Sequence, residues 1–128
     1  MKKRNFLKLI SAGILLPQTS FAGEDIIYAY GKFTSGRTKG EVCVTQRKLE
    51  WHIEFRDNFV HEGSPDPWVA LGKDGYQRSG LIAELKQFKG AQSHTINPKV
   101  DPRLFNEVYI WCEQHNTSLG RAKLTWLR

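Results

Sequence analysis

Apolar and polar residues alternate in short runs along most of this chain, and no window long enough for an α-helix carries a sustained 3.6-residue apolar period. Residues 49–55 give the clearest alternation: Leu49, Trp51, Ile53 and Phe55 share one face, and Glu50, His52, Glu54 and Arg56 the other. Residues 26–33 are rich in aromatic and β-branched side chains, and residues 40–46 place Val42 and Val44 on one face. Shorter runs of the same kind occupy residues 68–71, 92–96, 107–113 and 121–127. Residues 81–88 fit either a strand or a helical turn, because Ile82 and Leu85 are three apart. Turn-forming residues separate these runs: Gly36 and Gly40, the rigid stretch Gly63-Ser64-Pro65-Asp66-Pro67, Gly72-Lys73-Asp74-Gly75 with Gly80, then Asn97-Pro98 and Asp101-Pro102. The pattern predicts an all-β fold: one antiparallel β-sandwich or barrel of about seven to eight short strands.

The first 22 residues break from this pattern. Lys2-Lys3-Arg4 precedes a short apolar run over residues 6–16, Pro17 ends it, and Ser20-Phe21-Ala22 offers small residues at the positions a signal peptidase reads. The run is too short for a spanning helix, which needs about 20 apolar residues. Residues 1–22 are therefore predicted to be a cleaved export signal, with residues 23–128 as the single exported domain, periplasmic or secreted, without a membrane anchor. Lys3-Arg4-Asn5-Phe6-Leu7-Lys8 resembles a twin-arginine signal with Lys in the first position, so the route, general or twin-arginine, stays open.

The leader also changes the charge. Lys and Arg total 19 against 13 acids, a formal net of +6, but four bases and no acid lie in residues 1–22. The remainder holds 15 bases and 13 acids, a net of +2. That is no dense basic stripe, and a nucleic-acid partner is not expected. Charged residues at 25% and apolar residues at 40% belong to a folded domain rather than a disordered chain.

Strand parity bears on the two cysteines. Val108, Ile110 and Cys112 share one face of residues 107–113, and Tyr109, Trp111 and Glu113 the other, so Cys112 is expected to be buried. Cys43 lies opposite Val42 and Val44 and is expected to point outward. A disulfide needs Cα atoms within about 7 Å and converging Cβ vectors, which opposite faces of a sheet rarely allow, although export would expose both thiols to an oxidising compartment. His52, on the polar face of its strand, reads as a surface imidazole. Cys112-Glu113-Gln114-His115 resembles the ligand loop of blue-copper proteins, whose sites use two His and one Cys, with His61 as the missing ligand. His61, Cys112 and His115 are thus candidate copper ligands, on spacing that is not specific. No Cys-x-x-Cys-His stretch exists for covalent haem, and no hydrolase or phosphate-loop motif is present. Neither copper nor haem is required by the sequence.

From Gly31 to Leu124 the chain resembles the electron-transfer DM-thirteen domain, the module of Skeletor-type extracellular proteins. The residues that carry the resemblance are Gly31-x-Phe33, Gly40-x-Val42, Asp57-Asn58-Phe59, the stretch from Gly63-Ser64-Pro65-Asp66-Pro67 through Trp68-Val69-Ala70-Leu71, Gly90-Ala91-Gln92, Val108-Tyr109-Ile110-Trp111-Cys112 and Gly120-x-Ala122-x-Leu124. The resemblance implies a β-rich exported domain with one characteristic cysteine, here Cys112, serving redox or electron-transfer reactions with a redox partner protein. Cys43 lies outside the family's pattern. His94 stands where an aromatic is usual and His115 where Phe often occurs.

Three functions follow as expectations. The first is an exported redox or electron-transfer accessory domain acting through Cys112. The second is a non-enzymatic binding or structural module, for which the surplus of aromatics argues: Trp51, Trp68, Trp111, Trp126, Tyr28, Tyr30, Tyr76 and Tyr109. The third is a copper protein. All three favour an electron-transfer or binding module over an enzyme, and none names an electron donor, an acceptor or an oligomeric state.

Overall fold

A computed structural model describes residues 25–128; the predicted leader and its cleavage site before Gly23 lie outside the described residues. Among the described residues, nine strands form one antiparallel sheet: β1 (Ile26–Gly36), β2 (Thr38–Arg47), β3 (Glu50–Phe55), β4 (Val60–His61), β5 (Pro67–Gly72), β6 (Tyr76–Glu84), β7 (Gln92–Thr95), β8 (Glu107–Cys112) and β9 (Thr117–Trp126). One 3₁₀ turn, Pro102–Leu104, is capped by Asp101, whose side chain accepts from the Arg103 N–H. No helix among the described residues is long and apolar enough to cross a membrane.

The spatial order is β6-β5-β8-β9-β1-β2-β3-β7, with β4 pairing the start of β2. The sheet curls until its two ends nearly meet, so the fold is a nearly closed barrel. Side chains rather than a strand ladder bridge the seam: Lys86 Nζ donates to Ser93 O at 2.6 Å, and Gln92 Nε2 donates to Gln87 O at 2.8 Å. Inward residues of the strands form one core with Phe59, Leu85, Ile96 and Phe105 from the connections. Its densest part is aromatic: Phe55 stacks on Phe59 at 4.3 Å, and Phe33 meets both edge-on at 5.8 and 5.9 Å.

Four details differ from the pattern-based expectation. Leu49, expected to face inward, is 93% exposed. Lys48 takes a positive φ of 58°, so Lys48-Leu49 is a hairpin tip and pairing resumes at Arg47–Glu50; no Gly or Asn marks the turn. His52 is buried rather than a surface imidazole, because the ladders set it between Thr45 and Thr95 and Glu50 closes over it at 3.2 Å. Cys43 does lie opposite the core valines, yet it is also buried: Tyr30 and Glu54 flank it across the ladders, and burial pushes its thiol pKa up, opposed by the Arg56 charge. Finally, Tyr76 to Gly80 is strand rather than turn, and β4 is too short for any alternation to show.

Candidate functional site

Cys112 ends β8, at the rim of the barrel beyond Val108 and Ile110, and is 1% exposed. Its Sγ–H donates to Pro65 O at 3.3 Å, and its sulfur accepts from the His115 backbone N–H at 3.4 Å. The lid over it is the stretch from Gly63 to Pro67, fixed at every residue. Arg37 donates to Gly63 O at 3.1 Å, His61 Nε2 and Ser64 Oγ are 2.8 Å apart, and Glu113 N–H donates to Asp66 O at 3.2 Å. Trp68 Nε1 donates to Asp66 Oδ1 at 2.8 Å, and Pro67 pairs with Cys112 itself.

His61 is the second anchor of this lid. Thr38 Oγ1 lies 3.0 Å from His61 Nδ1 and donates its one proton to Leu119 O at 3.0 Å. It must therefore accept from His61 Nδ1–H, which leaves Nε2 to accept from the Ser64 hydroxyl. That tautomer is the neutral imidazole. Burial, and then the Arg37 charge, lower the His61 pKa and hold it there. The arrangement also fixes Gly120, because a Cβ there would stand 2.5 Å from the Thr38 side chain. Cys112 and His61 thus hold adjacent residues of one loop, Pro65 and Ser64. Thr38 and Ser64 carry no local signal in the sequence; only the β2–β4 ladder and the loop bring them to His61.

The family model described as Electron transfer DM13 matches residues 32–124. The chain belongs to the electron transfer DM13 family. The matched span includes the lid, His61 and Cys112, and it agrees with the resemblance seen from Gly31 to Leu124. No curated protein and no solved structure matches the chain.

In this DM13 domain the two cysteines are free and cannot reach each other. Cys43 pairs with Tyr30, which pairs with Thr125 on β9, whereas Cys112 pairs with Thr117 of the same strand. From Thr117 to Thr125 is a run of about 25 Å at roughly 3.3 Å per residue, far beyond the about 7 Å a disulfide spans. Parity rightly placed the cysteines on different faces, but distance along the strand is the stronger reason. Any disulfide formed by Cys112 of one molecule is therefore intermolecular.

The copper candidates are only partly gathered. His61 and Cys112 meet the same loop, but both ring nitrogens of His61 are hydrogen-bonded. His115 is exposed and offers Cys112 its backbone N–H. Among the described residues no group of three or more His, Cys, Asp or Glu is arranged to hold a metal ion, so these three do not make a ligand set. A surface cleft bordered by Leu49, Trp51, Ile96 and Val100 lies toward the opposite rim and contains neither thiol.

Proposed function

We propose that this DM13 domain is an exported redox accessory module whose working group is the Cys112 thiol, exchanging with disulfides of a partner. The observation that carries the reading is the isolation of Cys112 beneath a hydrogen-bonded lid, with no second thiol in reach. In thiol–disulfide exchange the Cys112 thiolate attacks one sulfur of the partner disulfide. A new S–S bond joins Cys112 to that sulfur, and the other partner sulfur leaves as thiolate. With Cys43 in the middle of β2 and out of reach of Cys112, release of Cys112 requires a thiol from outside the chain.

Access to Cys112 requires the lid to lift, which breaks the Cys112–Pro65 and His61–Ser64 hydrogen bonds. Ser64→Ala removes the second of these, worth about 1 kcal/mol, and is expected to speed exchange at Cys112 about fivefold. Peptide mass mapping after timed exposure to a small disulfide measures this rate. Cys112→Ser is expected to abolish exchange with the partner, and Cys43→Ser to leave it intact. Equal loss in both variants, or in neither, would sink the reading.

Export is supported by the basic, apolar and small-residue order of residues 1–22. The expected mature N-terminus is Gly23, checked by intact mass on periplasmic or secreted protein. A folded protein that keeps Met1 would contradict it.

A further inference from the structure

The outer face of β6, β5 and β8 carries an aromatic array that thiol exchange does not use. Tyr76 of β6 and Trp111 of β8 lie face to face, with centroids 3.8 Å apart and planes within 4°. Aromatic pairs more often settle at about 4.5–7 Å, offset or edge-on. Tyr109 stands on edge against both, 6.4 Å from Tyr76 and 5.9 Å from Trp111. The intervening strand makes this approach possible by being small. Ala70 of β5 is fully buried opposite Tyr109. At Gly72 a Cβ would stand 2.7 Å from the Tyr109 ring.

The polar ends of the array are arranged as donors to carboxylates. Tyr76 OH donates to Glu113 Oε2 at 3.1 Å, and Arg78 Nη1 reaches both oxygens of that carboxylate, at 3.2 and 3.1 Å, fixing its place. Tyr109 OH donates to Glu107 Oε1 at 3.2 Å. Trp111 Nε1, by contrast, is buried with no hydrogen-bond partner among the described residues. The indole has no proton outlet, whereas the phenol stacked on it has one within the reach of a general base.

We propose that Trp111 and Tyr76 form a one-electron relay, with Glu113 as its proton acceptor. A one-electron oxidant, such as a high-potential metal centre on a partner, takes an electron from Trp111 and is itself reduced by one electron. The indole radical cation keeps its proton, because none of the described residues accepts it. Tyr76 then passes one electron to Trp111 and its phenolic proton to Glu113. The products are neutral Trp111, a neutral Tyr76 phenoxyl radical and the Glu113 carboxylic acid. The reverse step returns the electron and the proton. The relay rests on the electron-transfer family and this geometry, not on the thiol, since Cys112 lies on the other face of β8.

Flash oxidation of the mature protein by photogenerated ruthenium(III) tris-bipyridine, followed by transient absorption and electron paramagnetic resonance, tests the relay. The expected result is a long-lived neutral tyrosyl radical. Tyr76→Phe, which keeps the ring and removes only the hydroxyl, is expected to lose that signal. Glu113→Gln is expected to slow its formation by about tenfold or more, as loss of a positioned base does. Tyr30→Phe removes a tyrosine that is 51% exposed and is expected to leave the yield unchanged. Cys112→Ser is also expected to leave it unchanged, so failure of the relay and failure of the thiol reading are separable. Persistence of the signal in Tyr76→Phe, its loss in Tyr30→Phe or Cys112→Ser, or an unchanged rate in Glu113→Gln would each overturn the proposal.

Discussion

Phe55→Ala is expected to cost about 3–5 kcal/mol, the range for emptying a buried aromatic site. Phe55 is 2% exposed, stacks on Phe59 at 4.3 Å and meets the His94 ring at 5.5 Å. Its neighbours come from β1, β7 and the β3–β4 connection, so no single element can collapse into the vacancy. Small domains have only about 5–15 kcal/mol in total, and the loss corresponds to a fall in Tm of about 15–25 °C. Leu49→Ala is the matched control. Sequence alternation puts Leu49 and Phe55 on one face, but Leu49 is 93% exposed at a hairpin tip, and its truncation is expected to stay within about 0.5 kcal/mol. Thermal melts of the two variants beside the parent read both effects. Similar losses in the two would place Leu49 back in the core and refute the Arg47–Glu50 register of the β2–β3 hairpin.

Acidification is expected to weaken the fold through His94. This imidazole is 1% exposed; among the described residues its Nδ1 has no partner and its Nε2 meets only Gln92 Oε1, at 3.0 Å. Burial, with a smaller contribution from the Lys86 charge, pushes its pKa down from 6.5 to about 4. Between those values the unfolded chain binds a proton that the folded domain does not, so stability rises with pH across the interval. The His94 contribution is complete above about pH 6.5 and is lost as pH falls towards 4, up to about 3 kcal/mol at 1.36 kcal/mol per unit. His61, also lowered, acts in the same direction. Glu54 acts in the opposite one, since burial, and then the nearby Asp25 charge, raise its pKa. Urea unfolding of the parent and of His94→Phe, each at pH 7 and pH 4.5, isolates the His94 contribution. Phe keeps a ring against Phe55 and has nothing to protonate, so its loss on acidification is expected to be smaller. An equal loss in both proteins would show that His94 contributes nothing to the pH dependence.

How much of the fold and the site is readable from the sequence depends on whether the cause is local. The interior faces of β3 and β8 follow from alternation, because period-two patterning is a property of each strand alone; β5, with Trp68-Val69-Ala70-Leu71 apolar throughout, offers no alternation to choose its face. The turn at Lys48-Leu49 is not readable, since it uses a positive φ on Lys rather than Gly or Asn. Burial of His52 and Cys43 escapes the pattern for a different reason: alternation tells the side of the sheet, not what cross-strand neighbours lay over that side. At the candidate site, burial of Cys112 is legible from parity with Val108 and Ile110. The lid is legible only as a rigid Pro-rich loop. Its anchoring through His61, Thr38 and Ser64 depends on ladders between distant segments. The stack of Tyr76 on Trp111 is hidden as well, because Tyr76 reads as part of a turn and the small residues beneath it, Ala70 and Gly72, lie on a third strand.

The redox role proposed for Cys112 is tested most directly by redox equilibration of the native protein. The protein is held at a series of reduced-to-oxidised glutathione ratios, quenched in acid, alkylated and mapped by peptide mass. The expected result is glutathione on Cys112, in a fraction that follows the ratio and reverses with dithiothreitol, while Cys43 is alkylated only after denaturation. A Cys112 that stays an unmodified thiol at every ratio, or one modified no more than Cys43, would contradict it.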